Sequence, residues 1–396
     1  MIKRIIYLVT EPFTKTFFDK FGIDIFEKNG FKVEVWNLQP IVYESFGQDY
    51  KAPDSIDFPG LTTFRKKKEA LDSIKALGED TFIILLIGYF HQSYPVYSAL
   101  SKSRADYAIF MANTLPFPVE NKKGYLQYYL KKAKKLKIKK IFSKTLFLNF
   151  TFRRFFYLWP KIKPPKLILA GGEKCFTEFY PMVSSESEVL RVHSLDYDSY
   201  LKERGIPFKA QKTAVFIDDG YAFHPDYDYV GIKPPVTPEK YFKSLNCFFD
   251  RVEKELGLKV VIAAHPRIDY AKHPEAFKGW ECIRGDTCRL VKGSELVLGH
   301  CSTALNFAYI FNKPVVFKTT EEIEKVFEGT RIHSLSRYFG KESVNIDDVN
   351  LKIDWENEKQ VRTECYERYR QAYIKVKGSD ELPFWQTAAQ RIKCMK

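Results

Sequence analysis

From Ile2 to Phe317 the chain repeats one pattern, a short apolar run that ends on a polar or glycine residue, followed in most cases by a segment with helical apolar spacing. Strands buried on both faces read this way, whereas a strand with one face in water alternates. Ile2 to Val9 is the first run, Thr14 to Lys28 has helical spacing, Asn29-Gly30 stops it, and Lys32 to Leu38 is a second strand. Two strands joined through a helix are parallel, because a hairpin turn cannot connect them, and a parallel sheet needs helices over both faces.

The pattern continues with a basic helix Arg65 to Leu77, the strand Thr81 to Ile87, a helix Tyr94 to Lys102 and the strand Asp106 to Met111. Lys166 to Ala170 and Glu188 to Val192 are two further strands. A second series begins with the strand Thr213 to Ile217, the helix Pro238 to Leu256 and the strand Lys259 to Ala264. Leu296 to Gly299, a helix Ala304 to Phe311 and the strand Pro314 to Phe317 complete it, before a helical tail from Asn357 to Ile374 and then Trp385. A chain of 396 residues exceeds one ordinary core. The expected division is a Rossmann-like domain over 1–205, a second over 206–355 and a tail over 356–396, with a cleft between the two α/β domains as the natural place for a ligand.

The hydrophobic fraction of 45% supports such cores, and the formal charge of +14 points to an anionic partner. Part of that charge is concentrated: from Lys122 to Lys166 there are 15 Lys or Arg residues, no Asp or Glu, and many interleaved aromatics. This segment is either a surface that rests on an anionic bilayer or a solvated basic hairpin. No RNA-binding signature accompanies it, so nucleic acid is not an expected partner. The seven cysteines are scattered without a Cys-x-x-Cys pair, which indicates a reducing compartment and neither a disulfide framework nor a zinc site. Without a signal peptide or a span-length apolar run, the expected location is the cytoplasm, with peripheral contact at the inner face of the membrane.

Three polar groups follow strands of the second series, at the edge where open α/β sheets bind ligands. Asp218-Asp219-Gly220 ends the first strand, with His224-Pro225-Asp226 shortly after; His265-Pro266-Arg267 ends the next; and His300-Cys301-Ser302-Thr303 precedes the helix at Ala304. There Ser302 or Thr303 caps the helix, whose first-turn N–H groups can bind an anion. Thr287, after Gly285-Asp286, opens another helix and is a further nucleotide contact. The Asp-x-Asp pairs Asp196/Asp198 and Asp226/Asp228 read as surface or capping residues, not metal ligands. Nucleotide-binding glycine fingerprints, a Walker A loop, Gly-x-Ser-x-Gly and His-Glu-x-x-His do not occur.

An acidic pair with Gly, a His-Pro and a Ser-Thr pair together resemble the short motifs of bacterial sialyltransferases and related CMP-sugar transferases. The resemblance covers about residues 213 to 318. It implies a GT-B fold with a C-terminal helix crossing back to the first domain. It also implies inverting transfer of a sialic-acid-like or Kdo-like sugar from a CMP donor to a bacterial surface glycan or glycolipid, without a metal or other cofactor. By the same resemblance His265, Ser302 and Thr303 hold the CMP phosphate and an acidic residue of the first motif is the general base. Pro266, Arg267, His224, Asp219, Gly220, Thr287 and His300 belong to the same donor site. The acidic motif of several such families lies far upstream of the His-Pro, yet here Asp218 precedes His265 by 47 positions. Asp218 therefore serves either as base or as an orienting group, and Glu11 and His91, after strands of the first domain, are the other candidates for base.

Breaking an anomeric bond to phosphate leaves negative charge on the departing nucleotide, so hydrogen-bond donors at that phosphate lower the barrier. The same fold also suits a UDP- or GDP-sugar transferase or a UDP-sugar 2-epimerase. A different class of protein, a non-catalytic adaptor that binds membrane or polyanion through Lys122 to Lys166, is also compatible with the charge.

Overall fold

The protein is represented by a computed structural model that describes residues 1–43, 55–116, 162–175, 183–227, 232–348 and 350–395. Most of the basic segment Lys122–Lys166, and Asp228, lie outside the described residues. Two parallel sheets form. The first contains β1 (Arg4–Val9), β2 (Lys32–Asn37), β3 (Leu61–Thr63), β4 (Thr81–Leu85), β5 (Asp106–Phe110), β6 (Leu167–Ala170) and β7 (Glu188–Arg191), in the order β3-β2-β1-β4-β5-β6-β7. The second contains β8 (Thr213–Ile217), β9 (Lys259–Ala264), β10 (Glu281–Arg284), β11 (Leu296–Gly299), β12 (Val315–Thr319) and β13 (Val344–Asn345), in the order β10-β9-β8-β11-β12-β13. Strand order thus reverses beside β1 in one sheet and beside β8 in the other, which opens a crevice at the C-terminal edge of each.

Every residue of β4, β6, β8, β11 and β12 is buried, as the unbroken apolar runs require. The covering helix Pro238–Leu256 places Tyr241, Phe242, Leu245, Phe248, Phe249 and Val252 on its buried face. Pro238 fits its first turn, where an N–H has no partner to lose, and Gly257 ends it at φ 64°.

Three elements differ from the expected ones. The segment Thr14 to Lys28 is two helices, Lys15–Lys20 and Ile23–Lys28, because Gly22 adopts φ 61° between them. The expected tail helix is divided into Trp355–Glu358, Thr363–Tyr369 and a wide turn at Arg370–Ile374. The short strands β3, β10 and β13 arise from pairing with longer neighbours, since they carry little periodic signal of their own.

The tail joins both cores. Tyr366, Tyr369 and Ile374 are buried in the second, and the helix Phe384–Lys393 buries Phe384, Trp385, Ala388, Ala389 and Ile392 in the first. The close passage demands glycine at position 172, where a Cβ would lie 2.2 Å from the main-chain carbon of Ala372. Among the described residues no helix is long and apolar enough to cross a membrane.

Candidate functional site

The end of β8 turns sharply: Gly220 has φ 72°, and Asp218 Oδ1 accepts its N–H at 2.9 Å. The other carboxylate oxygen, Oδ2, accepts the main-chain N–H of His265 at 3.1 Å and the Tyr270 hydroxyl at 2.6 Å. Asp218 is 3% exposed, and burial raises its pKa against these three hydrogen bonds. With both oxygens engaged, it ties the ends of β8 and β9 together.

His265 is held at both ends. Its main-chain N–H goes to Asp218, and its Nδ1 accepts the N–H of Arg267 at 3.3 Å. Burial, with help from His224, Arg267 and Lys20, pushes its pKa down to about 3. The ring is therefore neutral at physiological pH with its proton on Nε2, a hydrogen-bond donor of fixed direction. The His224 ring meets it edge-on at 4.6 Å, and His224 Nδ1 accepts the Asp226 N–H at 3.2 Å. Arg267 pairs with Asp226 at 2.8 Å. Pro266 is exposed beside them.

Across β8, the end of β11 is organised from below. His300 is fully buried; its Nδ1 donates to the Lys318 carbonyl at 2.7 Å. Its Nε2 is then the acceptor, with the Tyr241 hydroxyl at 2.9 Å and Lys318 Nζ at 2.6 Å. With both nitrogens occupied inside the domain, His300 supports the site and is not exposed to a nucleotide. Ser302 Oγ accepts the Ala304 N–H at 3.2 Å, so Ser302, not Thr303, is the cap, and Thr303 starts a 3₁₀ turn leading into Asn306–Ile310. Thr287 begins the helix Thr287–Gly293.

Asp219 carries the unusual charge. Burial raises its pKa to about 7, and Asp218 adds to that, while Lys318, the His300 N–H and Arg331 pull the other way. Its Oδ2 is buried without a hydrogen bond among the described residues. Lys318 lies fully buried with Nζ 3.9 Å from the Phe216 ring centroid, and burial pushes its pKa well below the lysine value. Lys318, Arg331, Tyr241 and Tyr270 were not among the candidates from sequence. Lys318 had a signal, a cation directly after the apolar run Pro314 to Phe317, and Arg331 arrives from the helix Phe327–Tyr338 with none.

Facing this edge is the first sheet. A cavity of about 220 Å³ lies at the ends of β1, β4 and β5, lined among others by Thr10, Glu11, Lys20, Gly88 and Met111. The two edges sense each other, since Lys20 acts electrostatically on His265 and Asp226 on Tyr43. His91 stands in the loop after β4, half-buried. A larger cavity of about 420 Å³, at Leu258, Glu295 and Pro314, is at the opposite edge of the second sheet, where its strands begin. The Asp196/Asp198 pair stands half-buried in the first turn of the helix Leu195–Glu203, where Asp196 accepts from Asn306 at 2.9 Å and Asp198 from the Phe384 N–H at 2.9 Å. Among the described residues no group of three His, Cys, Asp or Glu side chains is placed to hold a metal ion.

No protein-family profile and no curated protein sequence matches the chain. Solved structures do. A histidine-to-alanine variant of the wall teichoic acid polymerase TagF superposes with a TM-score of 0.50 at 10% identity, over 98% of this chain and 87% of that one. A second TagF variant, soaked with CDPG, gives a TM-score of 0.50 at 11% identity, over 99% and 88%. The chain has the GT-B fold. A weaker likeness, TM-score 0.44 at 11% identity over 99% of both chains, is to UDP-GlcNAc 2-epimerase of Methanocaldococcus jannaschii in complex with UDP-GlcNAc and UDP. The polar residues after β8, β9 and β11 stand together at the C-terminal edge of the second sheet.

Proposed function

We propose that the chain is an inverting glycosyltransferase that takes a sialic-acid-like or Kdo-like sugar from a CMP donor and passes it to a hydroxyl of a glycan or glycolipid. The observation that carries this reading is His265, a half-buried neutral imidazole whose Nδ1 accepts the Arg267 N–H, which leaves Nε2–H to donate, and whose main-chain N–H is anchored on Asp218. Such a donor stabilises the phosphate charge that grows as the anomeric bond breaks, with little reorganisation at that moment. Ser302, Thr303 and the amides after them face the same phosphate from the end of β11, and this scheme calls on no metal. Asp218 positions His265. The acceptor occupies the first-domain cavity, where Glu11 is exposed at the end of β1 and accepts the hydroxyl proton.

The charge of the basic segment suits peripheral contact with an anionic membrane carrying a glycolipid acceptor. A thermal-shift panel of CMP, UDP and GDP tests the donor: CMP protects more than UDP or GDP, and His265→Ala abolishes transfer while its unfolding curve stays cooperative. Protection by UDP without protection by CMP shifts the assignment to a UDP-sugar enzyme. Protection by none of the three removes the transferase reading and leaves the adaptor.

A further inference from the structure

Lys20 ends the helix Lys15–Lys20, which Thr14 caps by accepting the Phe17 N–H at 3.0 Å. Its carbonyl accepts the Trp385 Nε1–H at 2.9 Å, so the returning tail fixes the last turn of this helix against the first core. The side chain lines the cavity at the ends of β1, β4 and β5 and is exposed. The nearest carboxylate in sequence, Asp19, is paired with Lys15, and Lys20 has no ion-pair partner among the described residues. Other cations about the cleft are committed: Arg267 to Asp226 at 2.8 Å, and Lys318 to His300 beneath the surface. The Lys20 charge reaches His265 across the cleft and the buried Asp196.

We propose that Lys20 receives the carboxylate of a sugar acid bound in the first-domain cavity, an assignment that rests on the transferase reading above. A cavity of about 220 Å³ is smaller than the roughly 300–1,000 Å³ of pockets for drug-sized ligands, which suits one sugar ring and not a long chain. Apolar walls at Val9, Phe17, Phe21 and Ile109 offer a carboxylate no competing cation, so one ammonium group decides whether an acidic ring is accepted. Lys20 also offsets the repulsion between that carboxylate and Glu11 in the same cavity, which lets an acidic sugar approach a carboxylate base. A neutral sugar gains from Lys20 only a hydrogen bond to a hydroxyl, without the ionic attraction. The carboxylate comes either from the transferred sugar or from an acidic acceptor.

The test uses the full chain, wild type, Lys20→Met and Lys20→Arg, with circular dichroism to confirm folding of both variants. In the donor arm, calorimetric affinities for CMP and for the non-transferable CMP-3-fluoro-N-acetylneuraminate are compared. In the acceptor arm, the methyl glycoside of N-acetylneuraminic acid is titrated with and without CMP. Lys20→Met is expected to weaken the sugar-acid ligand of one arm by roughly ten- to a hundredfold, the loss of one charge-assisted hydrogen bond. Lys20→Arg retains most of that affinity, and CMP alone loses several-fold less in Lys20→Met than the sugar-acid ligand does. Unchanged sugar-acid affinity in Lys20→Met overturns the Lys20 assignment while leaving the CMP reading intact. Wild type that binds neither sugar acid overturns it as well. Wild type that binds no CMP but binds the methyl glycoside through Lys20 overturns the donor reading alone.

Discussion

Replacing Asp218 with alanine removes the acceptor of three donors at once, the N–H groups of Gly220 and His265 and the hydroxyl of Tyr270. Each donor left unpaired in a buried place costs about 1–3 kcal/mol, an upper sum of about 9. Two effects reduce it. The carboxylate itself is disfavoured by burial, as its raised pKa shows, so its removal recovers part of that penalty. The residues also stand at a cleft edge, where water can reach some of the abandoned donors. A net destabilisation of about 2–4 kcal/mol remains, which for a domain of this size lowers the melting temperature by roughly 5–15 °C. Asp218→Asn keeps the shape but turns a hydrogen-bond donor towards one of its partners, and falls between alanine and wild type. Because the His265 N–H loses its anchor, CMP affinity falls along with stability. The assay is thermal unfolding followed by calorimetric titration with CMP at a temperature where the variants are folded. Asp19→Ala, which removes an exposed pair with Lys15, is the control and changes stability by less than about 0.5 kcal/mol. If both Asp218 variants melt with the control and bind CMP as wild type does, Asp218 does not organise the site.

Asp219→Asn yields a pH signature. The pKa of Asp219 rises from 3.8 to about 7 on folding, so its contribution favours the fold fully below about pH 4 and is lost as pH rises through 7. The stability of Asp219→Asn relative to wild type therefore climbs across that window and then levels off; urea titrations at several pH values check it, and a flat or falling difference contradicts the buried carboxylate. Trp385→Ala removes a ring packed against Tyr7, Phe21, Phe26, Phe110 and Phe384, and an indole N–H bonded to the Lys20 carbonyl. A loss of about 3–5 kcal/mol is expected. Hydrogen exchange accelerates in Lys15–Lys20 and Ile23–Lys28 as well as in the tail, whereas acceleration confined to the tail denies the coupling.

What was legible in the sequence is what local chemistry dictates. Short unbroken apolar runs bounded by turn residues read as strands covered on both faces, and the polar groups that end them mark the edge of each sheet, so the places of His265 after β9 and of Ser302 after β11 could be read before the sheet was assembled. Contacts between distant segments had no such signature. Asp196 looks like an ordinary first-turn acid of a surface helix, yet it is bonded to Asn306, 110 positions away, and burial raises its pKa to about 6. Lys318 shows the same difficulty in a sharper form. A cation after Phe317 reads as the end of a strand, because an isolated buried charge is costly. The strand continues instead, since Lys318 and Thr319 pair with Val344 and Asn345 of β13, and the ammonium is accommodated by the His300 ring, the Phe216 face and the pull of Asp219. These partners come from the ends of two other strands, β8 and β11, so the lysine makes sense only after the sheet is assembled. Burial works against its positive charge and the two aspartates Asp219 and Asp218 work for it, a balance set beneath the strand ends and not in the cleft.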